Sequence, residues 1–143
     1  MAEREALYTR RIFYYETDNM GIVHHSNYIR IMEEARMDYM RSLGYEYTEM
    51  EAKGIIMPVT YVSAKYITPL RFDDTIHVRT RLTAFNGVRA SFSYTIYREG
   101  DEKPCATGES GHCFLDTDTR VPVNLKRKYP EFYERAVKIQ EKE

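Results

Sequence analysis

Residues 27–43 restrict the fold of this chain more than any other segment. Tyr28, Ile31, Met32, Ala35, Tyr39 and Leu43 recur at helical spacing and form one face, while Arg30, Glu34, Asp38 and Arg41 gather opposite. Ile29, Met37 and Met40 widen the apolar sector well past the stripe of an ordinary surface helix. Such a helix needs cover on more than one side, which a sheet and a second subunit together can supply. Gly44 ends it. Asn27 or Ser26 can cap its start, because a short side-chain acceptor satisfies one of the free N–H groups there.

Strand patterns surround this helix. Leu7 to Tyr15, rich in Tyr, Ile and Phe, reads as a first strand. Ile55 to Thr68 reads as a long one, interrupted near its start by Pro58 and closed by Pro69. The cleanest alternation follows: Ile76, Val78, Leu82 and Ala84 face one way, as do Val88, Ala90, Phe92, Tyr94 and Ile96, so both strands have one buried face. Asn86-Gly87 between them signals a hairpin. A two-residue loop would set Leu82 against Ser91, whereas a three-residue loop pairs Ala84 with Ala90 and Leu82 with Phe92, so the pattern favours three residues and a bulge. Lys103 to Asp116 reads as a final strand and Pro130 to Lys142 as a terminal helix. No repeats or interdomain linkers interrupt the series, so residues 1–143 are expected to form a single α+β domain, an antiparallel sheet wrapped around a long central helix.

At 143 residues the chain can bury about two thirds of its unfolded surface, enough for a real core. Its 21 basic and 22 acidic side chains leave a net charge of −1, which argues against nucleic acid or an anionic membrane as partner. The N-terminal residues place acids where a signal peptide needs an apolar core, and no run approaches the roughly 18 apolar residues of a membrane span. A soluble, cytoplasmic protein is expected. Cys105 and Cys113 are eight residues apart in one strand pattern, hence about 26 Å apart and unable to bond each other, so both read as reduced, buried or partly buried thiols. Neither has the cationic neighbour or helix start that a nucleophilic thiolate needs.

Chemistry concentrates just before the helix, in Tyr14-Tyr15-Glu16-Thr17-Asp18-Asn19-Met20-Gly21-Ile22-Val23-His24-His25-Ser26-Asn27-Tyr28. A helix start leaves about four N–H groups without intrahelical partners and carries roughly half a positive charge, so it can polarise a carbonyl aimed at it. Asp18, a few residues upstream, can attack that carbonyl or activate a water; as a bland alternative, Asp is also favoured in turns for its local hydrogen bonds. Gly21 reads as a residue that permits a turn or a close approach of substrate. His24, His25 and Asp18 together can be read as a metal site, but adjacent residues rarely direct side chains to one ion, and no metal is expected.

The same residues resemble the signature of the 4-hydroxybenzoyl-CoA thioesterase family of hot-dog-fold proteins, in which a D-x-D-x-x-G-[IV]-V-x-[HY]-x-N-Y segment leads into a long central helix. Asp18 matches the family's catalytic aspartate, Gly21 its glycine, Ile22-Val23 the aliphatic pair and Asn27-Tyr28 the helix-opening pair. Glu33-x-Ala35-Arg36 is similar to a helix motif of the acyl-CoA thioester hydrolase branch, and Tyr66-x-x-Pro69-x-x-x-Asp73-Asp74 continues the likeness at lower specificity. One departure is Glu16, where the family has the first aspartate. The resemblance implies a hot-dog fold, a homodimer or homotetramer with active sites at the dimer interface, and hydrolysis of an acyl-CoA thioester without a cofactor, coenzyme A being part of the substrate. It also implies that the His25 backbone N–H binds the thioester oxygen. The His25 side chain either orients water or Asp18, or packs.

Arg79, Arg81 and Arg89 lie on the polar faces of the hairpin strands, which alone reads as solvated surface. In the family, basic residues around this hairpin meet coenzyme A phosphates, and Arg89 stands at a matching place, where its planar donor fork suits phosphate oxygens. Lys126-Arg127-Lys128 reads as solvated surface. Glu33 either crosses into a partner's acyl pocket or pairs with Arg30 or Arg36 at three-residue spacing. Competing readings are an acyl-carrier-protein thioesterase, a hot-dog dehydratase and a non-catalytic acyl-thioester-binding module.

Overall fold

The computed structural model describes residues 6–142. Strands β1 (Ala6–Arg11), β3 (Val59–Tyr66), β4 (Thr75–Phe85), β5 (Arg89–Arg98) and β6 (Ala106–Cys113) form one antiparallel sheet in the order β1-β4-β5-β6-β3. Helix α1 (Ser26–Ser42) lies on its inner face. Ile31, Met32, Ala35 and Tyr39 from the helix are buried with Val78, Phe92, Tyr94, Ile96 and Ala106 from the sheet. Approach is close because β6 offers Gly108 opposite Met32: a Cβ there would fall 2.5 Å from the Met32 sulfur. The expected α+β architecture, an antiparallel sheet around a central helix, is the observed one.

Helix α1 ends as its sequence predicts. The Tyr45 N–H donates to the Met40 carbonyl and the Gly44 N–H to the Arg41 carbonyl, both at 3.0 Å, a Schellman closure with Gly44 at φ +88°. The terminal helix α4 (Pro130–Lys142) also has the expected bounds.

Elsewhere the boundaries move, each for a local reason. β1 stops at Arg11, and Tyr14–Glu16 form a 3-10 turn instead of continuing the strand, because the Glu16 carboxylate folds back to accept the Phe13 N–H at 2.8 Å and to pair with Arg10. The long strand expected over Ile55 to Thr68 divides at Pro58, which has no N–H for a ladder. Its first part, β2 (Ile55–Ile56), pairs with β7 (Leu115–Asp116) in a small second sheet, and only Val59–Tyr66 joins the main one. The last expected strand divides likewise, since its end leaves β6 to become β7. In the hairpin Leu82 pairs with Phe92 as expected, but the bulge falls at Thr83, so Ala84 pairs with Ser91 and Phe85 with Ala90. Short helices α2 (Tyr47–Ala52) and α3 (Leu125–Lys128) add to the expected elements, and neither is long enough to show a periodic pattern in the sequence. They accompany an aromatic cluster of Tyr45, Tyr129 and Phe132, with Tyr45 and Phe132 4.9 Å apart, that extends the core beneath α4.

β3 is an edge strand whose residues are exposed or half-buried throughout. Val59, Tyr61, Val62 and Tyr66 are each between 42% and 50% exposed, so this edge presents apolar side chains as well as unpaired backbone groups. No helix among the described residues is long and apolar enough to cross a membrane.

Candidate active site: the loop before the central helix

Asp18 to Ile22 close a tight turn. The Asp18 N–H donates to the Ile22 carbonyl at 2.8 Å and the Gly21 N–H to the Asp18 carbonyl at 3.0 Å. Gly21 sits at φ +80°, a left-handed conformation that side chains resist, so the glycine serves the backbone turn. Within this turn Asp18 Oδ1 accepts the Met20 N–H at 2.8 Å and the Ile22 N–H at 3.4 Å. One carboxylate oxygen is thereby fixed, and Oδ2 has no hydrogen-bond partner among the described residues. A bridge from Thr17 to Val23 closes the loop on itself, and the Ile22 to Arg71 bridge, with the Val23 N–H on the Leu70 carbonyl at 2.8 Å, ties it to the segment after β3.

The turn faces a cleft of about 280 Å³ lined by Asp18, Met20, His25, Tyr28, Tyr66 and Ile67, among others. The start of α1 forms another of its walls. Here the His25 N–H has no acceptor among the described residues, whereas the next three N–H groups are all engaged. Tyr66, at the end of β3, donates its hydroxyl to the His25 carbonyl at 3.3 Å and packs its ring edge-on against Tyr28, 4.9 Å away. Burial pushes the Tyr28 phenol up to about 12, so it is neutral at physiological pH. An N–H with no acceptor among the described residues, at the positive end of a 17-residue helix, and a half-buried carboxylate thus border one partly apolar cleft. That pairing can polarise a carbonyl and deliver either a carboxylate or an activated water to it.

Of the residues singled out in the sequence, Asp18 and His25 meet in this cleft, and Gly21 shapes the turn without lining it. The His25 ring stacks on His24 at 4.2 Å and stands edge-on to Tyr66 at 6.4 Å. Among the described residues no cluster of three or more His, Cys, Asp or Glu could hold a metal. Glu16 turns away from the cleft: it is buried, its carboxylate pairs with Arg10, and its carbonyl accepts the His24 N–H at 2.8 Å and Asn27 Nδ2 at 2.9 Å. Its role is to brace the loop against α1. Arg10, which also pairs with Glu34 at 3.0 Å, completes that brace.

Arg89 does not reach the Asp18 cleft of its own chain. It opens β5, which adjoins the cleft towards its other end through Ile96, Cys105 and Ile67, about 23 Å away at roughly 3.3 Å per residue. Arg79 lies over the Tyr97 ring and donates to its hydroxyl at 3.3 Å. Glu33 is exposed and lies 3.9 Å from Arg36, the pairing anticipated from three-residue spacing. Sequence reasoning missed Tyr66 and Tyr28 as walls of the site; Tyr66-x-x-Pro69 was the available signal, a strand-ending aromatic just before a proline.

Comparison with known proteins identifies the family. The chain matches the Thioesterase-like superfamily over residues 14–141. It is 34% identical over 128 residues to YneP of Bacillus subtilis, a protein provisionally named as an acyl-CoA thioesterase, covering 87% of this chain and 92% of that one. It is 28% identical over 86 residues to the acyl-CoA thioester hydrolase YbgC of Escherichia coli, covering 60% of this chain and 64% of YbgC. Among solved structures, a DHNA-CoA thioesterase from Staphylococcus aureus superposes with a TM-score of 0.91 at 32% identity, covering 96% of this chain and 91% of that one. The chain belongs to the Thioesterase-like superfamily and has its hot-dog fold.

Proposed function

We propose that this member of the Thioesterase-like superfamily is an acyl-CoA thioesterase, splitting an acyl-CoA and water into a carboxylic acid and free coenzyme A. One observation carries the reading: the Asp18 carboxylate and the unengaged His25 N–H border the same cleft at the start of α1. The thioester oxygen accepts the His25 N–H, and the helix dipole stabilises the negative charge that gathers on it. Asp18 then acts by one of two routes. It attacks the carbonyl, expelling the coenzyme A thiolate and leaving an acyl anhydride that water hydrolyses, or it takes a proton from the water that attacks. Coenzyme A enters as substrate, and neither route needs a cofactor. The names carried by YneP, YbgC and the Staphylococcus aureus enzyme support coenzyme A as the carrier. Two free cysteines accord with a cytoplasmic setting.

The working unit in this reading is a homodimer, alone or paired into a tetramer. Antiparallel pairing of two β3 edges about a two-fold axis would set the Tyr66 end of one strand beside the partner's Val59 end. Arg89 lies two strands in from that end, about 10 Å at roughly 4.8 Å per strand. Its proposed contact with coenzyme A phosphates is therefore made to the substrate in the partner's cleft.

The test is a panel of acyl-CoA esters, the matching acyl-pantetheines and acylated carrier protein, with released thiol measured. Turnover of coenzyme A esters is the expected result. Turnover confined to acylated carrier protein would assign the neighbouring activity, and binding without turnover of any ester would make the chain a non-catalytic module.

A further inference from the structure

The proposed chemistry needs one N–H at the start of α1, and His24 decides which one is left. The Ser26 N–H donates to His24 Nδ1 at 3.2 Å, the Asn27 N–H to the His24 carbonyl at 2.9 Å, and the Tyr28 N–H to the His25 carbonyl at 3.2 Å. Thus His24 takes two first-turn donors itself, one on its ring and one on its carbonyl. A trans peptide points its C=O and N–H in opposite directions, so holding the His24 carbonyl toward the helix turns the His25 N–H away from it. His25 is itself one of the residues that line the cleft.

Residues better suited to capping do other work. Asn27 is buried and spends its side chain on the Glu16 carbonyl, and Ser26 Oγ itself bonds His24 Nδ1 at 2.9 Å. Helix starts favour Asp, Asn, Ser and Thr as caps, and an anionic cap also suits the helix dipole. Here it would place a negative charge beside an oxygen that becomes negative during reaction. An imidazole whose Nδ1 accepts an N–H carries no proton on that atom and brings no negative charge.

We propose that His24 is a positioning residue, a cap without negative charge that occupies the neighbouring donors and leaves the His25 N–H to bind the thioester oxygen. This rests on the thioesterase reading above and adds to it which side chain sets the oxyanion donor.

The experiment compares His24→Asn, His24→Asp and His24→Ala in the full-length protein, measuring kcat and KM on one acyl-CoA ester and Tm for each. Asn Oδ1 can stand where Nδ1 stands, so His24→Asn should keep kcat within about threefold. His24→Asp should keep or raise Tm as an anionic cap, yet lower kcat roughly 10²-fold with KM little changed, because its charge opposes the oxyanion. His24→Ala should lower Tm by about 3 °C and kcat about tenfold. A purely structural cap predicts the same Tm for Asp but wild-type kcat, and that kcat overturns the proposal. Should the Asp variant fold poorly, the comparison of Asn with Ala still decides, since equal kcat in those two also overturns it. Failure of the thioesterase reading looks different: wild type itself would release no thiol, or Asp18→Asn would retain full turnover.

Discussion

Acid should destabilise this fold through one histidine. His112 is 1% exposed, under the helix-facing side of β6, with Nε2 on Ser110 Oγ at 2.8 Å and the Phe92 ring 5.3 Å away. Ser110 Oγ in turn meets the Tyr94 hydroxyl at 2.6 Å, which accepts from Arg36 at 3.3 Å, so a guanidinium closes the network. Burial, and secondarily the charge of Arg36, push the His112 imidazole down from 6.5 to about 4. The folded state thus binds the proton less readily than the unfolded chain does. Stability from this group is complete above about pH 6.5, is lost as pH falls from there toward 4, and changes no further below that. At about 1.4 kcal/mol per pH unit the loss between pH 7 and pH 4.5 is on the order of 2 kcal/mol, a sizeable part of a total of about 5–15 kcal/mol. Urea unfolding of wild type and His112→Gln at both pH values isolates it, because glutamine can still bond Ser110 but takes up no proton. Wild type should lose about 2 kcal/mol more than the variant on acidification. Equal losses would refute the reasoning, showing that His112 is solvated or already charged in the fold.

Three further outcomes follow from the site and the sheet edge. Tyr66→Phe removes the hydroxyl that holds the His25 carbonyl at 3.3 Å but keeps the ring against Tyr28, so kcat should fall about tenfold with Tm nearly unchanged; unchanged kcat would remove the hydroxyl from the site. Arg89→Ala should weaken binding of coenzyme A esters more than of acyl-pantetheines, since the lost contact is to phosphate; equal effects on KM would show that Arg89 acts elsewhere. Val62→Lys puts a charge on the exposed β3 edge, where Val62 is 42% exposed, and sedimentation should show the variant as a monomer and wild type as a dimer or tetramer; a stable, active wild-type monomer at micromolar concentration would sink the shared-site account.

How far the fold and site were legible depended on how local each cause is. Asp18, Gly21 and His25 lie within eight residues and act through a turn and a helix start, features written in consecutive residue types. The helix itself announced its need for cover, and Gly44 its end. By contrast, the Arg10–Glu16 brace joins a strand residue to a turn residue across an apparent run of strand formers. Nothing in Tyr, Phe and Ile propensity reveals that a buried carboxylate bends the chain there. Pro58 was visible, but the sequence does not say that its two flanks join different sheets. Capping by His24 was hidden for a related reason: Asn27 and Ser26 are better intrinsic caps, and tertiary contacts with Glu16 claim Asn27 first. Tyr66 reaches the site from a strand 41 residues beyond His25, a distance at which residue pattern carries no geometry. Arg89 was singled out by resemblance, and residue pattern alone does not say that it opens β5 at the end away from the Asp18 cleft of its own chain.

The central claim rests on a single carboxylate, and Asp18→Asn tests it most directly. Asparagine keeps the size of the side chain and an acceptor for the Met20 N–H at 2.8 Å, so the turn should persist while the nucleophile or base is gone. Thioester turnover should fall by roughly 10²- to 10⁴-fold in a folded oligomer, and by less in His25→Ala, which retains its backbone N–H. Near-normal hydrolysis by Asp18→Asn would contradict the account, and a greater loss in His25→Ala than in Asp18→Asn would move the chemistry to the imidazole.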